Sequence, residues 1–370
     1  MRKLWYSSAL LGVATVSSGL TAAFLPRSTV VVPATPVTVK AAPARLALPK
    51  RVAGTAPAPK QAKTEAKTVK KVVAKPRPAA THITHGSTVT PSLYEATTSV
   101  SILRAQGCRA GRARTNGLVV LDFGKLAYYP RRGGYGTITF ADRFASNRSV
   151  TWAGKSFAHG YSECLPAGSR SHITLALGTS NYSLDVPSTF TAGRLWAKDT
   201  ELIGRYIELH HLDHVAAAAG DDVEPAWDRT FLRTYGFFRG YGSTHTKYLI
   251  YNYGSLDGGV GAIWKLRQAY YVAGGMYAAR AIPEIYNRSM AKEWAELARL
   301  SVKRYGKSIN LAGLMTQHTS HCRRCGYTAA QAHKALVGEL AKHPKTKVRR
   351  LAAATNIGSP APVSKRDLQG

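Results

Sequence analysis

A short run of small apolar residues ends in three carboxylates near the middle of the chain. Residues 215–219 read Val-Ala-Ala-Ala-Ala, and Gly220 leads from them into Asp221, Asp222 and Glu224. Such a run predicts a buried strand, and buried parallel strands carry their chemistry at their C-terminal ends. In an Asp-x-Glu pair both side chains lie on one side of an extended backbone, where one carboxylate raises the pKa of the other. The pair therefore offers the protonated carboxylic acid that cleavage of a glycosidic bond requires.

A structural role for the same acids is the alternative interpretation. Pro225 can open a helix, and acidic caps in front of such a proline are common. Asp222 and Glu224 would then accept hydrogen bonds from the first backbone amides of that helix. We favour the catalytic interpretation because other predicted strands also end in polar groups.

Carboxylates, amides and tyrosines recur at the ends of the other predicted strands. Acids transfer protons, amides bind hydroxyl groups and flat aromatic rings bind sugar faces, so the combination predicts a saccharide site that needs no cofactor and no metal ion. The predicted catalytic residues are Glu224 as general acid, Asp222 as the group that tunes its pKa, Asp122 as second carboxylate and Glu284 as its reserve. The predicted substrate-binding residues are Asn181, Tyr182, Asp221, Trp227, Tyr251, Asn252, Tyr253 and Tyr286.

The elements that would position these residues alternate between strands and helices. Strands are predicted at 118–123, 172–177, 215–219, 248–251, 276–282 and 309–315, and helices at 190–210, 227–235, 263–271, 290–305 and 329–342. Six such units predict an α/β protein, a single (β/α) TIM-barrel-like domain with helices around a parallel sheet. The stretch 135–164 is expected to hold a helix and has room for a further strand, which would move the total toward eight.

The N-terminus predicts export. Arg2 and Lys3 precede a mostly apolar stretch, and Thr21-Ala-Ala offers a small-residue cleavage site, so we expect a signal peptide over 1–23. Serine, threonine and glycine interrupt the apolar stretch, which favours a cleaved signal over a permanent anchor. We therefore expect a secreted or cell-envelope-associated protein.

Most of the net charge of +31 lies in two segments that are predicted to be disordered. Residues 24–90 form an Ala/Pro/Lys-rich linker with 12 Lys or Arg against one Glu, and residues 341–370 form a basic tail. The folded domain is thus predicted over 91–340. Because the basic segments lack interleaved aromatic residues, nucleic acid is a weaker candidate partner than anionic cell-wall polymers or a membrane surface. A solvated spacer without a partner is the alternative.

The four cysteines fit an oxidising compartment. Cys108 and Cys164 flank the first strand–helix unit and are predicted to pair, which leaves Cys322 to pair with Cys325. A zinc site built from His318, His321 and the last two cysteines is the alternative, but four ligands within eight residues leave little chain to surround the ion. A histidine cluster at 210, 211 and 214 precedes its strand and is expected to be structural.

Four motifs resemble those of secreted glycoside hydrolase-like TIM barrels of actinobacteria. They are Leu121-Asp-Phe-Gly, Gly220-Asp-Asp-Val-Glu-Pro-Ala-Trp, Tyr251-Asn-Tyr-Gly and Ile282-Pro-Glu-Ile-Tyr, within residues 118–340. The Asp-x-Glu pair is also similar to the acid motif of chitinase- and lysozyme-type barrels, although alanines occupy 216–219, where chitinases carry further acids. The resemblance implies a barrel that hydrolyses cell-envelope or extracellular polysaccharide, such as a peptidoglycan-type glycan. A catalytically inactive barrel that binds glycans is the other expectation.

Overall fold

The structure is a computed structural model that describes residues 89–317, 322, 325–348, 351 and 353–364, without the side chains of 183–185. The predicted signal peptide, nearly all of the predicted linker, His318 and His321 lie outside the described residues. No helix in the described ranges is long and apolar enough to cross a membrane.

Eight parallel strands follow one another around a barrel. Hydrogen-bonded neighbours run in the order β8-β7-β6-β5-β2-β1-β10-β9, and bridges from Ala281 to Leu311 and from Glu284 to Met315 join β8 to the β9 segment. The strands are β1 (Thr90–Tyr94), β2 (Gly117–Tyr129), β5 (Ile173–Asp185), β6 (Val215–Asp222), β7 (Ile250–Asn252), β8 (Ala279–Ala281), β9 (Gly313–Gln317) and β10 (Ala353–Gly358). This order is that of a (β/α) TIM barrel, as the sequence predicted.

The helices lie between the strands along the chain. They are α1 (Val100–Arg112), α2 (Asn147–Cys164), α3 (Thr189–Leu209), α4 (Leu232–Gly242), α5 (Leu266–Tyr270), α6 (Arg288–Tyr305) and α7 (Ala329–Leu340). Each of the longer helices buries one face, since apolar residues recur with helical spacing. On α6 the buried face includes the predicted Trp294, Leu297, Ala298 and Ser301.

The strands separate two apolar layers. Leu121, Leu177 and Ala219 belong to the layer beneath the helices, whereas Leu118, Val120, Ala176 and Ala218 pack inside the barrel. Tyr253 occupies part of the barrel interior next to two glycines. A Cβ at Gly178 would lie 2.6 Å from the Tyr253 hydroxyl, and a Cβ at Gly220 would lie 2.8 Å from its ring. Small residues on β5 and β6 therefore make room for this tyrosine.

The seventh and eighth strands are not where the sequence predicted them. The stretch 135–164 contains α2, part of β3 (Gly134–Ile138) and β4 (Phe144–Ser146), and β3 pairs with β2 in antiparallel fashion outside the barrel order. The barrel is completed by β1 and β10 instead. Since β10 pairs with both β1 and β9, the prediction that a disordered tail starts at residue 341 is wrong for 353–358.

The segment after the three carboxylates also differs from its prediction. Residues 225–227 form a turn, and α4 begins only at Leu232. Asp228, not Glu224, accepts a hydrogen bond from a backbone amide of that helix, the N–H of Thr234 at 2.8 Å. The alternative in which Asp222 and Glu224 cap a helix at Pro225 is therefore wrong.

Both predicted disulfides are present. Cys108 on α1 bonds Cys164 at the end of α2 with the Cα atoms 4.9 Å apart, and Cys322 bonds Cys325 at 5.2 Å. The thiolates that the zinc alternative needs are consumed by the second bond. His214 has a structural partner, as expected, since its Nδ1 lies 3.0 Å from the Ser171 carbonyl at the N-terminal end of β5.

Candidate active site

Three carboxylates meet at the C-terminal ends of the barrel strands. Asp222 is the last residue of β6, Glu224 follows two positions later, and Glu284 lies three residues beyond β8. One carboxylate oxygen from each residue lies within 4.8 Å of the others. Within the described residues this group, which we call the acid cluster, is also the one that could hold a metal ion.

The alternation of inward and outward residues along β6 determines what surrounds the Asp222 side chain. Two small residues precede Asp222 on the inner face of β6: Ala218 packs inside the barrel, and Gly220 lies against Tyr253. Asp222 is the next residue on this face, because every second residue of a strand lies on the same side. Burial raises the pKa of Asp222 well above its ordinary value, and the charges of Glu284 and Glu224 raise it further. Asp222 thus retains a proton to higher pH than an exposed aspartate does.

The backbone of Glu224 is fixed by a buried amide side chain. The Asn181 amide donates to the Glu224 carbonyl at 3.1 Å and accepts from the Glu224 N–H at 2.9 Å. A second hydrogen bond joins Asn181 to the Thr234 hydroxyl at 3.1 Å. Asn181 is completely buried. We predicted it as a substrate-binding residue, but the structure makes it a positioning residue for Glu224.

Glu284 is oriented by a neighbouring phenol. The Tyr286 hydroxyl donates a hydrogen bond to Glu284 Oε1, and both side chains are buried. A hydroxyl donor stabilises negative charge on the carboxylate oxygen that accepts from it. The backbone of Glu284 is also fixed, because its N–H donates to the Gly254 carbonyl at 3.1 Å. Tyr286 therefore acts on the predicted site through Glu284.

Asp122 lies deeper in the barrel than the acid cluster. In the register of the sheet, Asp122 aligns with Gly178 of β5, and Gly178 aligns with Gly220 of β6. Gly220 is the inward-facing residue that precedes Asp222 on β6. Burial raises the pKa of Asp122 to about 7, while the Gly124 N–H, 2.8 Å from Oδ1, lowers it. Asp122 is only 1% exposed. The structure thus brings Glu284, not Asp122, next to Glu224.

Four other residues predicted to bind substrate are occupied inside the fold. Asn252 accepts from the Gly254 N–H at 3.1 Å, and the Tyr253 hydroxyl donates to the Thr179 carbonyl at 2.8 Å. Tyr251 aligns with Arg280, whose charge acts on its phenol. Asp221 is also buried, and burial is the main cause of its raised pKa. These four residues lie at the strand ends, as predicted, with Asn252, Tyr253 and Asp221 buried and Tyr251 partly buried.

An aromatic pair lies beyond the end of the strands. Tyr182 and Trp227 contact each other edge to face, with ring centroids 5.3 Å apart, and both are partly exposed. The Lys125 ammonium lies 5.4 Å from the Tyr182 ring centroid, within the range of a cation–π contact. We call these three residues the rim patch. Of the predicted aromatic residues, Tyr182, Trp227 and Tyr251 are partly exposed, whereas Tyr253 and Tyr286 are buried.

Sequence reasoning missed Tyr94 at the end of β1. Its hydroxyl accepts a hydrogen bond from Gln317 Nε2 at 2.9 Å. Burial raises the pKa of Tyr94, and the charges of Glu284 and Asp222 raise it further, which places this phenol close to the acid cluster. The signal was the sequence Leu93-Tyr-Glu at the end of a short strand, which lies inside the predicted domain but carries no hydrophobic run.

Comparisons with known proteins leave the function open. No family model matches the chain, and no curated protein matches its sequence. Among solved structures it is similar to the hyperthermostable endo-1,4-β-D-mannanase from Thermotoga petrophila RKU-1, with 6% identity and a TM-score of 0.36 over 76% of this chain and 92% of that one. A likeness this low transfers no activity, and the barrel assignment follows from the strand order itself.

Proposed function

We propose that this protein is a glycoside hydrolase that cleaves polysaccharide by carboxylic acid catalysis. The acid cluster carries the proposal, since it brings two glutamates and a proton-retaining aspartate together where TIM barrels carry out their chemistry. A pair of carboxyl groups is what most glycoside hydrolases use. The rim patch next to the cluster supplies aromatic surface for sugar rings.

The environments of the two glutamates suggest different roles. Glu224 is partly exposed and lies beside Asp222, so it is assigned as the acid that protonates the glycosidic oxygen. Glu284 accepts a hydrogen bond from Tyr286, which favours its ionised form as the nucleophile. Glu284 attacks the anomeric carbon as the bond to the leaving sugar breaks. Water, deprotonated by Glu224, then hydrolyses the glycosyl–enzyme ester.

The close approach of the two glutamates favours a retaining reaction. Retaining enzymes hold their two carboxyl groups about 5–5.5 Å apart, whereas inverting enzymes leave roughly 6.5–9.5 Å for a water molecule. One oxygen of Glu224 lies within 4.8 Å of one oxygen of Glu284, and carboxylates that approach each other this closely favour the first class. We therefore assign the product the same anomeric configuration as the substrate.

The place of action proposed is outside the cytoplasm. Two disulfides suit an oxidising compartment, and the N-terminal sequence has the features of a signal peptide. The substrate is then a cell-envelope or extracellular polysaccharide. The basic terminal segments would hold the enzyme near anionic wall polymers.

The test is release of reducing ends from a panel of envelope and extracellular polysaccharides. Glu224→Gln and Glu284→Gln should each lower turnover by at least about 10²-fold, because each isostere removes one catalytic carboxyl group. Glu224→Gln should still bind the saccharide. Glu296→Gln is the matched control, since Glu296 lies on α6 and pairs with Arg299.

Two outcomes would overturn this function. Binding of a polysaccharide by the wild-type protein without any release of reducing ends would make it a glycan-binding barrel. Activity that survives both glutamine variants but disappears with a chelator would mean that the cluster holds a catalytic metal ion instead.

A further inference from the structure

Lys125 reaches the inner rim of the barrel through an irregularity in β2. Simple alternation from the inward Asp122 would turn Lys125 outward. The register with β5 shifts between these two residues, and Lys125 aligns with Ser180, which aligns in turn with Asp222. The bulge therefore places a lysine in the same inward row as a member of the acid cluster.

Lys125 does not form an ion pair with the carboxylates of the acid cluster. Among the described residues, Lys125 forms no salt bridge, and its ammonium contacts the Tyr182 ring. The charges that act on Asp222 are all negative, and Lys125 is not among the groups that shift Asp122. The ammonium thus lies over the Tyr182 ring, beside Trp227, and can reach a ligand bound there.

We propose that the rim patch binds a sugar that carries a carboxylate, so that the enzyme prefers acidic over neutral polysaccharide. This inference rests on the proposed function and names its substrate class. Tyr182 and Trp227 offer apolar surface to the faces of a pyranose ring. Lys125 supplies a compact positive charge for a carboxylate attached to that ring.

A hexuronate is the acidic sugar that fits this arrangement most simply. Its carboxylate replaces the hydroxymethyl group, so it projects from the edge of a ring whose face remains free to pack on an aromatic side chain. Oligomannuronate and manno-oligosaccharide differ in this group alone, as do oligogalacturonate and galacto-oligosaccharide of the same linkage. These two matched pairs are the probes.

The experiment measures the affinity of the four tetrasaccharides for the full chain in the Glu224→Gln background, which prevents turnover. We expect at least one acidic tetrasaccharide to bind about tenfold more tightly than its neutral counterpart, as one charge-assisted contact provides. Lys125→Met should lower the affinity for the acidic tetrasaccharide by about tenfold and so remove this preference, with a smaller change in the affinity for the neutral one. Lys198→Met is the matched control, because it removes the same charge from the exposed face of α3.

Equal affinity within both pairs, or binding of none of the four, would overturn the inference. The same conclusion follows if Lys198→Met weakens acidic binding as much as Lys125→Met does, because the preference would then reflect overall positive charge. Hydrolysis is measured separately with the active chain. Cleavage of neutral polysaccharide alone would refute the acidic preference but keep the proposed function. Tighter binding of the acidic sugars without cleavage of any polysaccharide would keep the acidic preference but refute the proposed function.

Discussion

Asp222 in the acid cluster and Asp199 between α2 and α3 are both buried aspartates, but their surroundings differ. Burial is the main cause of the raised pKa of each, and the pKa of Asp199 is about 7. Asp199 accepts hydrogen bonds from Thr151 at 2.9 Å and from Asn147 at 2.6 Å, one at each oxygen. Asp222 has one oxygen without a partner among the described residues and carboxylates as neighbours.

The comparison shows that a raised pKa alone does not mark an active site. Burial disfavours the charged form wherever it occurs, so both aspartates retain their protons to higher pH. Only in the cluster do like charges and an unsatisfied acceptor accompany the burial, at the end of a barrel where a ligand can enter. Asp199 is the structural counterpart that separates the two effects.

The largest expected effect contrasts the two aspartates in activity. Asp222→Asn should lower kcat by about 10²-fold on whichever polysaccharide is cleaved, because it removes the titratable neighbour of the catalytic acid. Asp199→Asn should leave kcat within about twofold of wild type, since the substitution lies in the helix layer. Reducing-end assays at equal concentrations of folded protein measure both. Equal losses in the two variants would mean that the acid cluster has no special role.

The second prediction concerns stability against pH. The folded-state pKa of Asp199 is about 7, above its ordinary value of 3.8, so its stabilising contribution is complete below pH 4 and is lost as the pH rises through 7. Asp199→Asn removes this dependence, and its amide can still pair with Thr151 and Asn147. From pH 4 to pH 8 the variant should gain up to about 4 kcal/mol of unfolding free energy relative to wild type.

Urea unfolding at several pH values measures this gain. The variant Asp213→Asn serves as control, because Asp213 is exposed in the turn before β6. Parallel curves for wild type and Asp199→Asn would show that burial does not perturb Asp199.

The smallest expected effects come from the disulfides, which also lie in the two regions compared. Cys108–Cys164 joins α1 to α2 and closes 56 residues, so replacing both cysteines by alanine should cost roughly 4 kcal/mol of stability. Cys322–Cys325 follows β9 and closes three residues, for which the same loop-entropy relation gives roughly 2 kcal/mol. Thermal unfolding ranks the two double variants. The opposite ranking would mean that the disulfide in the helix layer, which closes the longer loop, is not the more stabilising of the two.

Much of the barrel follows from hydrophobic runs in the sequence, but its first and last strands do not. In β1 and β10 the inward or buried positions include Thr90, Ser92 and Thr355, which satisfy one another. The Ser92 hydroxyl lies 2.6 Å from that of Thr355, and Thr355 donates to the Thr90 carbonyl at 2.9 Å. A polar pair across two strands leaves no hydrophobic pattern in either strand. β1 was therefore not predicted as a strand, and β10 was assigned to the tail.

The acids of the site were predictable from their positions after buried strands, whereas the roles of the amides were not. Asn181 and Asn252 both follow strands, but each uses its side chain on a backbone group that only the folded loop brings near. Lys125 could not be assigned to the rim because strand alternation fails at a bulge that the sequence does not announce. Local pattern thus identifies where a site lies, and long-range contacts decide which side chains face it.

The pairing of β1 with β10 also constrains how the barrel is made. Thr90 aligns with Thr355, so strands separated by 265 residues must meet before the sheet closes. The contact order of this seam is the highest in the barrel, and such contacts form late and slowly. A chain emerging from the ribosome exposes two open sheet edges until its last strand is synthesised. Closure of the barrel therefore waits for residues 353–358, and the sheet stays open until they have been made.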